Sequence, residues 1–302
     1  MKKSIKKILN QLPYIKGLYS YNQNFKSNSA YPAGHFYSPI VSVADIKRRA
    51  DKIWENRSKE GINGIDLNLD EQLNLLDLFL AYYSEIPFQE TKQIRLRYYF
   101  ENDFYSYTDA VVLYGVIRLF KPKRVIEIGS GFSSSLMLDI NQFFFNNSIS
   151  LTFIDPYIDR LLSLMTEEDK VHTTVIQQDV QLISLDTFKQ LEAGDILFVD
   201  STHVSKTGSD VNYILFEILP ILNSGVLIHF HDVFYPFEYP KEWVFNGRNW
   251  NENYILKAFM MYNKSFKIKL FSDYIHLFHK EAFKNMPLCY KNTGGNLWLE
   301  KV

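Results

Sequence analysis

Residues 125–134 read Val-Ile-Glu-Ile-Gly-Ser-Gly-Phe-Ser-Ser. This is an apolar strand interrupted by one acid, then two glycines, then the start of a helix. A strand that turns into a helix through glycine leaves bare backbone amides where a ligand can lie. The segment therefore commits the chain to a βα unit with an open turn at its carboxyl end.

The surrounding pattern extends that unit. Apolar strands are expected at 124–128, 151–155, 173–177, 196–200 and 225–230, and helices at 108–120 (capped by Thr108), 133–145, 158–165 and 210–222. Strands without polar alternation, separated by helices, form a parallel sheet covered on both faces. Later strands at 267–271, 275–278 and 296–299 read as an antiparallel edge. The fold class is α/β, a Rossmann-like, doubly wound and mostly parallel sheet. Before it lies an N-terminal extension, residues 1–92, helical and irregular. Its signals are Ser42 with Asp45 as a helix cap and Asp70 capping a helix through Tyr83. Residues 93–302 form the main domain.

Bulk properties narrow the function. The 302 residues carry a net charge of −1, so no global field favours nucleic acid. One cysteine, Cys289, excludes an internal disulfide and fits a reducing, cytoplasmic setting. No run of about 18 apolar residues suggests a membrane span. Residues 1–12 pair four lysines with four aliphatics, which reads as a terminal amphipathic helix without a leader's apolar run or cleavage site. The 24 Phe and 20 Tyr accompany abundant Asn, Lys and Ile and are not evidence of an aromatic-lined site.

The acids are informative. Glu127, Asp155, Asp179, Asp200 and Asp232 each follow or sit within one of the expected apolar runs. A dinucleotide fingerprint needs a third glycine near the pyrophosphate, and Ser134 stands there. Glu127, two residues before Gly129, would repel an anion and attract a ligand carrying an amine and a sulfonium. Asp155 ends the second strand, where a carboxylate accepts from ribose hydroxyls. Asp179 is placed for an adenine amino group.

On these residues the chain resembles the class I S-adenosylmethionine-dependent methyltransferases. It is most similar to a bacterial branch related to cephalosporin-hydroxylase-like and macrolide-sugar O-methyltransferases. The matching stretches are 125–134, 153–160, 177–180, 194–203, 225–235 and 294–301. The resemblance implies seven strands, with Gly129, Ser130 and Gly131 along the methionine part, Ser134 beside them, and Glu127 supporting the amine. It also implies ribose on Asp155 and adenine on Asp179. Ser133 replaces the family's usual third glycine. Tyr107, in the Phe104-Tyr105-Ser106-Tyr107 run, is expected at the cofactor pocket.

An alcohol needs a base or a metal before it attacks a methyl sulfonium. Val199-Asp200-Ser201-Thr202-His203 and His229-Phe230-His231-Asp232 close neighbouring strands, about 4.8 Å apart. Asp200 and Asp232 can converge on Mg²⁺. Without metal, His203 or His231 serves as base, oriented by Asp200 or Asp232. His229 reads as buried scaffold. The aromatic segment 234–254, with Trp243, Arg248 and Trp250, reads as a lid over the acceptor. The first 90 residues could complete the acceptor pocket or make a homo-oligomer contact. The expected activity is O-methylation of a small molecule, a glycan or a secondary metabolite. The alternatives are a nicotinamide-dependent oxidoreductase and a catalytically silent Rossmann-like binding module.

Overall fold

The structure, a computed structural model, describes residues 12–55 and 57–302. All but Leu12 of the expected terminal helix falls outside them. The described residues form two compact units. One is 12–55 with 241–249; the other is 57–240 with 250–302. The first segment of the smaller unit ends at Glu55.

The smaller unit holds α1 (Pro13–Asn28), which buries no residue, α2 (Val43–Arg48) and α3 (Ala50–Trp54). Ser42 caps α2, its hydroxyl accepting from the Asp45 amide, as the sequence suggests. Trp54 meets the ring of Phe245 edge-on at 5.8 Å. Trp243 and Arg248 belong here too, with the guanidinium 4.2 Å over the indole. The expected lid, 234–254, is therefore split between the two units.

The larger unit begins with α4 (Leu69–Tyr83) and α5 (Tyr107–Phe120). Its sheet comprises β1 (Arg124–Ile128), β2 (Ser150–Ile154), β3 (Thr173–Ile176), β4 (Ile196–Val199), β5 (Leu227–His231), β6 (Phe266–Phe271) and β7 (Asn296–Lys301). The spatial order is β3-β2-β1-β4-β5-β7-β6. The first five strands run parallel, and β7 inserts antiparallel between β5 and β6. Every residue of β4 and β5 is buried, so both faces are covered. The order reverses between β1 and β4. Ligands of open α/β sheets bind beyond the strand carboxyl ends at that point.

Three local expectations change. Residues 275–278 belong to a helix, Ser272–Phe278, not a strand; a short apolar run suits either state. Asp70 lies in the first turn of α4, and Asn68 is its N-cap. Thr108 lies inside α5, behind Ser106 as cap, and its hydroxyl donates to the Asn292 carbonyl at 2.7 Å. Residues 210–221 form one helical run that passes through a π-type turn at Ile214–Ile218. Pro220 lacks the amide that a regular α-helix would need there.

Gly115 lets α4 and α5 approach. A methyl group there would lie 2.6 Å from the Phe79 ring. Far from the strand ends, Arg97 is buried between two acids. Its Nε donates to Asp169 at 2.7 Å and one Nη to Asp139 at 2.7 Å. Asp139 also accepts from the amides of Arg97 and Tyr98, and Asp169 from Thr166.

Candidate active site

The glycine turn is fixed by one close approach. Gly129 has φ +81°, and a Cβ there would stand 1.8 Å from the Asp200 carbonyl oxygen. Only glycine permits β1 to end against β4 in this way. The Gly129 amide donates to the Ile154 carbonyl at 2.9 Å, tying the turn to β2. Asp155 stays beside it, accepting from the Ser130 amide at 2.8 Å and the Tyr157 amide at 2.7 Å.

Two adjoining cavities open above the strand ends, of about 360 and 370 Å³. They share Gly129, Asp155, Asp200, Ser201 and Thr202. The first reaches Ser130, Gly131, His203, His231 and Asp232; the second reaches Asp179 and Tyr157. A cavity of about 950 Å³ elsewhere in this unit, between residues 58–69 and Lys257, shares no lining residue with them. It gathers no acid–imidazole group among the described residues.

Several expected site residues lie behind this lining. Glu127 is fully buried and lines neither cavity, its carboxyl held by the hydroxyls of Ser133, which lines the first, and Ser134. Burial pushes its pKa to about 8 against those hydrogen bonds, with Asp200 and Asp155 adding to the rise. At neutral pH it is largely uncharged, so the electrostatic argument passes to Asp155, Asp179 and Asp200. Ser134 is likewise buried, and its hydroxyl accepts from the Gly131 amide at 2.9 Å. Tyr107 stacks on Phe100 and bonds Glu101; Phe104 and Tyr105 from the same run line the cavity instead.

The acid–imidazole groups do converge. His203 Nε2 lies 3.4 Å from Asp200 Oδ1 and 3.7 Å from Asp232 Oδ2. His231 Nε2 lies 3.6 Å from Asp232 Oδ1. His203 and Asp232 both adopt left-handed backbone, φ +59° and +56°. For residues bearing a Cβ this costs about 1–2 kcal/mol each. The strain turns both side chains to one point.

Burial would raise the Asp200 pKa, but His231 and then His203 hold it near 2. Burial opposes charge on His203, yet its bonds to Asp200 and Glu252 lift its pKa well above the usual imidazole value. His231 is raised too, burial being outweighed by Asp232 and Asp200. Asp232 is raised, chiefly by burial. His229, stacked on Phe198 at 3.9 Å, is pushed well below its ordinary value by burial. It is scaffold, as expected.

Sequence reasoning missed Arg160 and Glu252, while Trp250 is expected over the acceptor. Arg160 lies over the Phe104 ring at 3.9 Å and lines the cavity. Trp250 lines it as well, its ring 4.3 Å from His203. Glu252, buried, meets His203 Nδ1 at 2.8 Å. Nothing in the spacing of residues 203 and 252 pairs them.

The donor set fits both groups that the resemblance implies. Bare backbone at Gly129 and Gly131 beside Asp155 and Asp179 suits an adenosine-bearing cation. Asp200, His203 and Asp232 offer atoms within 4.8 Å of one another, which suits a metal ion.

A methyltransferase-domain family model matches residues 126–233, which run from β1 to just beyond β5. An uncharacterised protein of Archaeoglobus fulgidus is 36% identical over 164 residues, 54% of this chain and 74% of its own length. The chain belongs to the class I S-adenosylmethionine-dependent methyltransferases. Among solved structures, the SAH-bound Podospora anserina methyltransferase PaMTH1 is 15% identical, with 91% of this chain and 99% of that chain covered and a TM-score of 0.40. The O-methyltransferase TomG of Streptomyces achromogenes, solved with SAM, is 13% identical over 77% and 90% of the two chains, with a TM-score of 0.41. The archaeal relative is uncharacterised and names no activity, so membership rests on the domain match. The nicotinamide-linked alternative ends with it. No helix among the described residues of this methyltransferase is long and apolar enough to cross a membrane.

Proposed function

We propose that the protein transfers a methyl group from S-adenosylmethionine to a hydroxyl of a small molecule, a glycan or a secondary metabolite. The observation that carries this reading is the pair of joined cavities. One end offers Asp155 and Asp179 to an adenosine; the other offers Asp200, His203, His231 and Asp232 to an acceptor. Asp155 would release its hold on the Ser130 turn in part and accept from the ribose. The backbone of Gly129–Gly131 would follow the methionine part. Glu127 acts behind the turn, holding Ser133 and Ser134 at the start of the following helix.

Methyl transfer is an in-line displacement. The cofactor brings the activated group, and the protein aligns it and prepares the nucleophile. His203, His231 and Asp232 stand where an acceptor proton must go. Asp200 and Asp232 would hold a divalent cation such as Mg²⁺, which supplies Lewis acidity toward a hydroxyl. Tyr105 and Trp250 give the acceptor end apolar walls.

Heating the protein with S-adenosylhomocysteine or with NAD tests the cofactor. At 100 times its Kd a ligand stabilises by about 2.7 kcal/mol. A shift with the former alone supports the reading; a shift with NAD alone overturns it. Incubation with a labelled methyl donor and host extract then identifies the acceptor. Label recovered on nitrogen would contradict the hydroxyl assignment, and no label on any compound would favour the silent module.

A further inference from the structure

α1 has little of its own to hold it. None of its residues is buried, and its N-cap, Leu12, makes no side-chain cap bond. Gly17 sits inside it, where a methyl group would meet nothing within 4 Å, so no close approach requires the glycine. A 16-residue helix is marginal in water until one face is covered, and an interior glycine weakens it further. A face ready to be covered is present. Tyr14, Leu18, Tyr21 and Phe25 recur at spacings of four, three and four, within about 60° around the helix. Tyr14 is 78%, Leu18 52% and Tyr21 73% exposed. Phe36 and Tyr37, a few residues beyond the helix, are exposed too.

Charge selects what covers it. Residues 1–44 hold six lysines and no Asp, Glu or Arg, in a chain whose net charge is −1. Four of the six, Lys2, Lys3, Lys6 and Lys7, lie outside the described residues. Lys16 and Lys26 lie on the helix away from the stripe. A second copy of α1 would bring only lysines, and no acid, to the pairing. It would also deny the Tyr14 and Tyr21 hydroxyls a polar neighbour, which the headgroup layer of a bilayer supplies. Single-stranded nucleic acid takes rings and cations along one groove. In α1 the rings and the lysines occupy different sides.

We propose that this end of the chain docks on an anionic lipid surface. α1 lies along the headgroup layer, with Tyr14, Leu18, Tyr21 and Phe25 turned into it and the lysines on the lipid phosphates and carboxylates. A helix with a basic polar face and an apolar stripe rests in that layer, held jointly by buried apolar area and by charge. Each lysine near an anionic leaflet adds to the hold, and salt screens it. The inference concerns the smaller unit and does not rest on the methyl-transfer reading.

Co-sedimentation of the full chain with lipid vesicles tests it. Vesicles of phosphatidylcholine with about 30% phosphatidylserine should bind about tenfold more tightly, or better, than phosphatidylcholine alone. Raising salt from about 0.1 to 0.5 M should remove most of that preference. Tyr14→Ser, Leu18→Ser and Tyr21→Ser together should weaken binding to the mixed vesicles about tenfold or more. This set replaces no buried residue, so its melting temperature should match the wild type. Lys2→Gln, Lys3→Gln, Lys6→Gln and Lys7→Gln together should abolish the preference for phosphatidylserine. No binding to either vesicle, equal binding to both, or wild-type binding by the serine variant would overturn the proposal. So would a dimer dissolved by the serine variant in place of vesicle binding, which assigns the stripe to a second copy. Tighter binding to single-stranded RNA than to the vesicles would assign the lysines to nucleic acid and overturn it as well.

Discussion

Two clusters of buried charge sit in the larger unit, and they are built in opposite ways. Around Arg97 each charged group has its partner: Asp139 and Asp169 share the guanidinium, and backbone amides fill their remaining positions. Around His203, Glu252 alone lies at close hydrogen-bond distance, 2.8 Å; Asp200 and Asp232 stand 3.4 to 3.7 Å from the imidazoles, two backbones are left-handed, and His231 Nδ1 and Glu252 Oε1 go unpartnered. The first cluster is complete without a ligand. The second becomes complete only when something enters. Acids and imidazoles that converge on one cavity mark function better than buried charge does.

The contrast is broken or sharpened by substitution. Asp232→Asn should lower turnover about 10²–10⁴-fold while leaving the melting temperature unchanged or higher, since it removes a carboxyl whose pKa burial has raised. Comparable losses of activity and stability would place the second cluster with the first. Arg97→Met leaves two buried carboxylates unpaired and should destabilise the fold by about 3–5 kcal/mol in denaturant titration. Its affinity for S-adenosylhomocysteine should hold in the folded protein; a large drop there would tie the clamp to the site. Asp155→Ala should weaken that affinity about 10–100-fold, the scale of a lost hydrogen bond to a charged group. Calorimetry that shows unchanged binding removes Asp155 from the ribose.

The effect at Glu127 shows only as a dependence on pH. Its carboxyl keeps a proton up to about pH 8 in the folded protein, whereas the ordinary value is 4.5. Between those values folding takes up a proton, so this group's contribution is full below about pH 4.5 and is lost as pH rises through 8. Glu127→Gln should flatten that decline in stability measured by denaturation across pH. A variant with the wild-type slope would show the proton to be elsewhere.

Much of this was legible in the sequence. Apolar runs without alternation revealed the parallel sheet, and the acids at their ends located the crevice. The Asp200 and Asp232 pairing followed from adjacent strands. Other features were not legible, for physical reasons. Burial and two serines turn Glu127 from a charge facing a ligand into a largely neutral support, and residue type alone does not report burial. Tyr107 is drawn to Phe100 and Glu101 while Tyr105 lines the cavity, and the spacing within the run does not tell the two rings apart. Glu252 reaches His203 only through the left-handed turn at His203, which no local pattern announces. Residues 275–278 are apolar enough for strand or helix, and packing chose the helix.

A crystal structure with S-adenosylhomocysteine tests the central claim most directly. The ribose should lie on Asp155, the adenine beside Asp179, and the sulfur should face the Asp200–His231 end of the joined cavities. Finding the ligand in the 950 Å³ cavity by Lys257, or finding both joined cavities closed to it, would contradict the account.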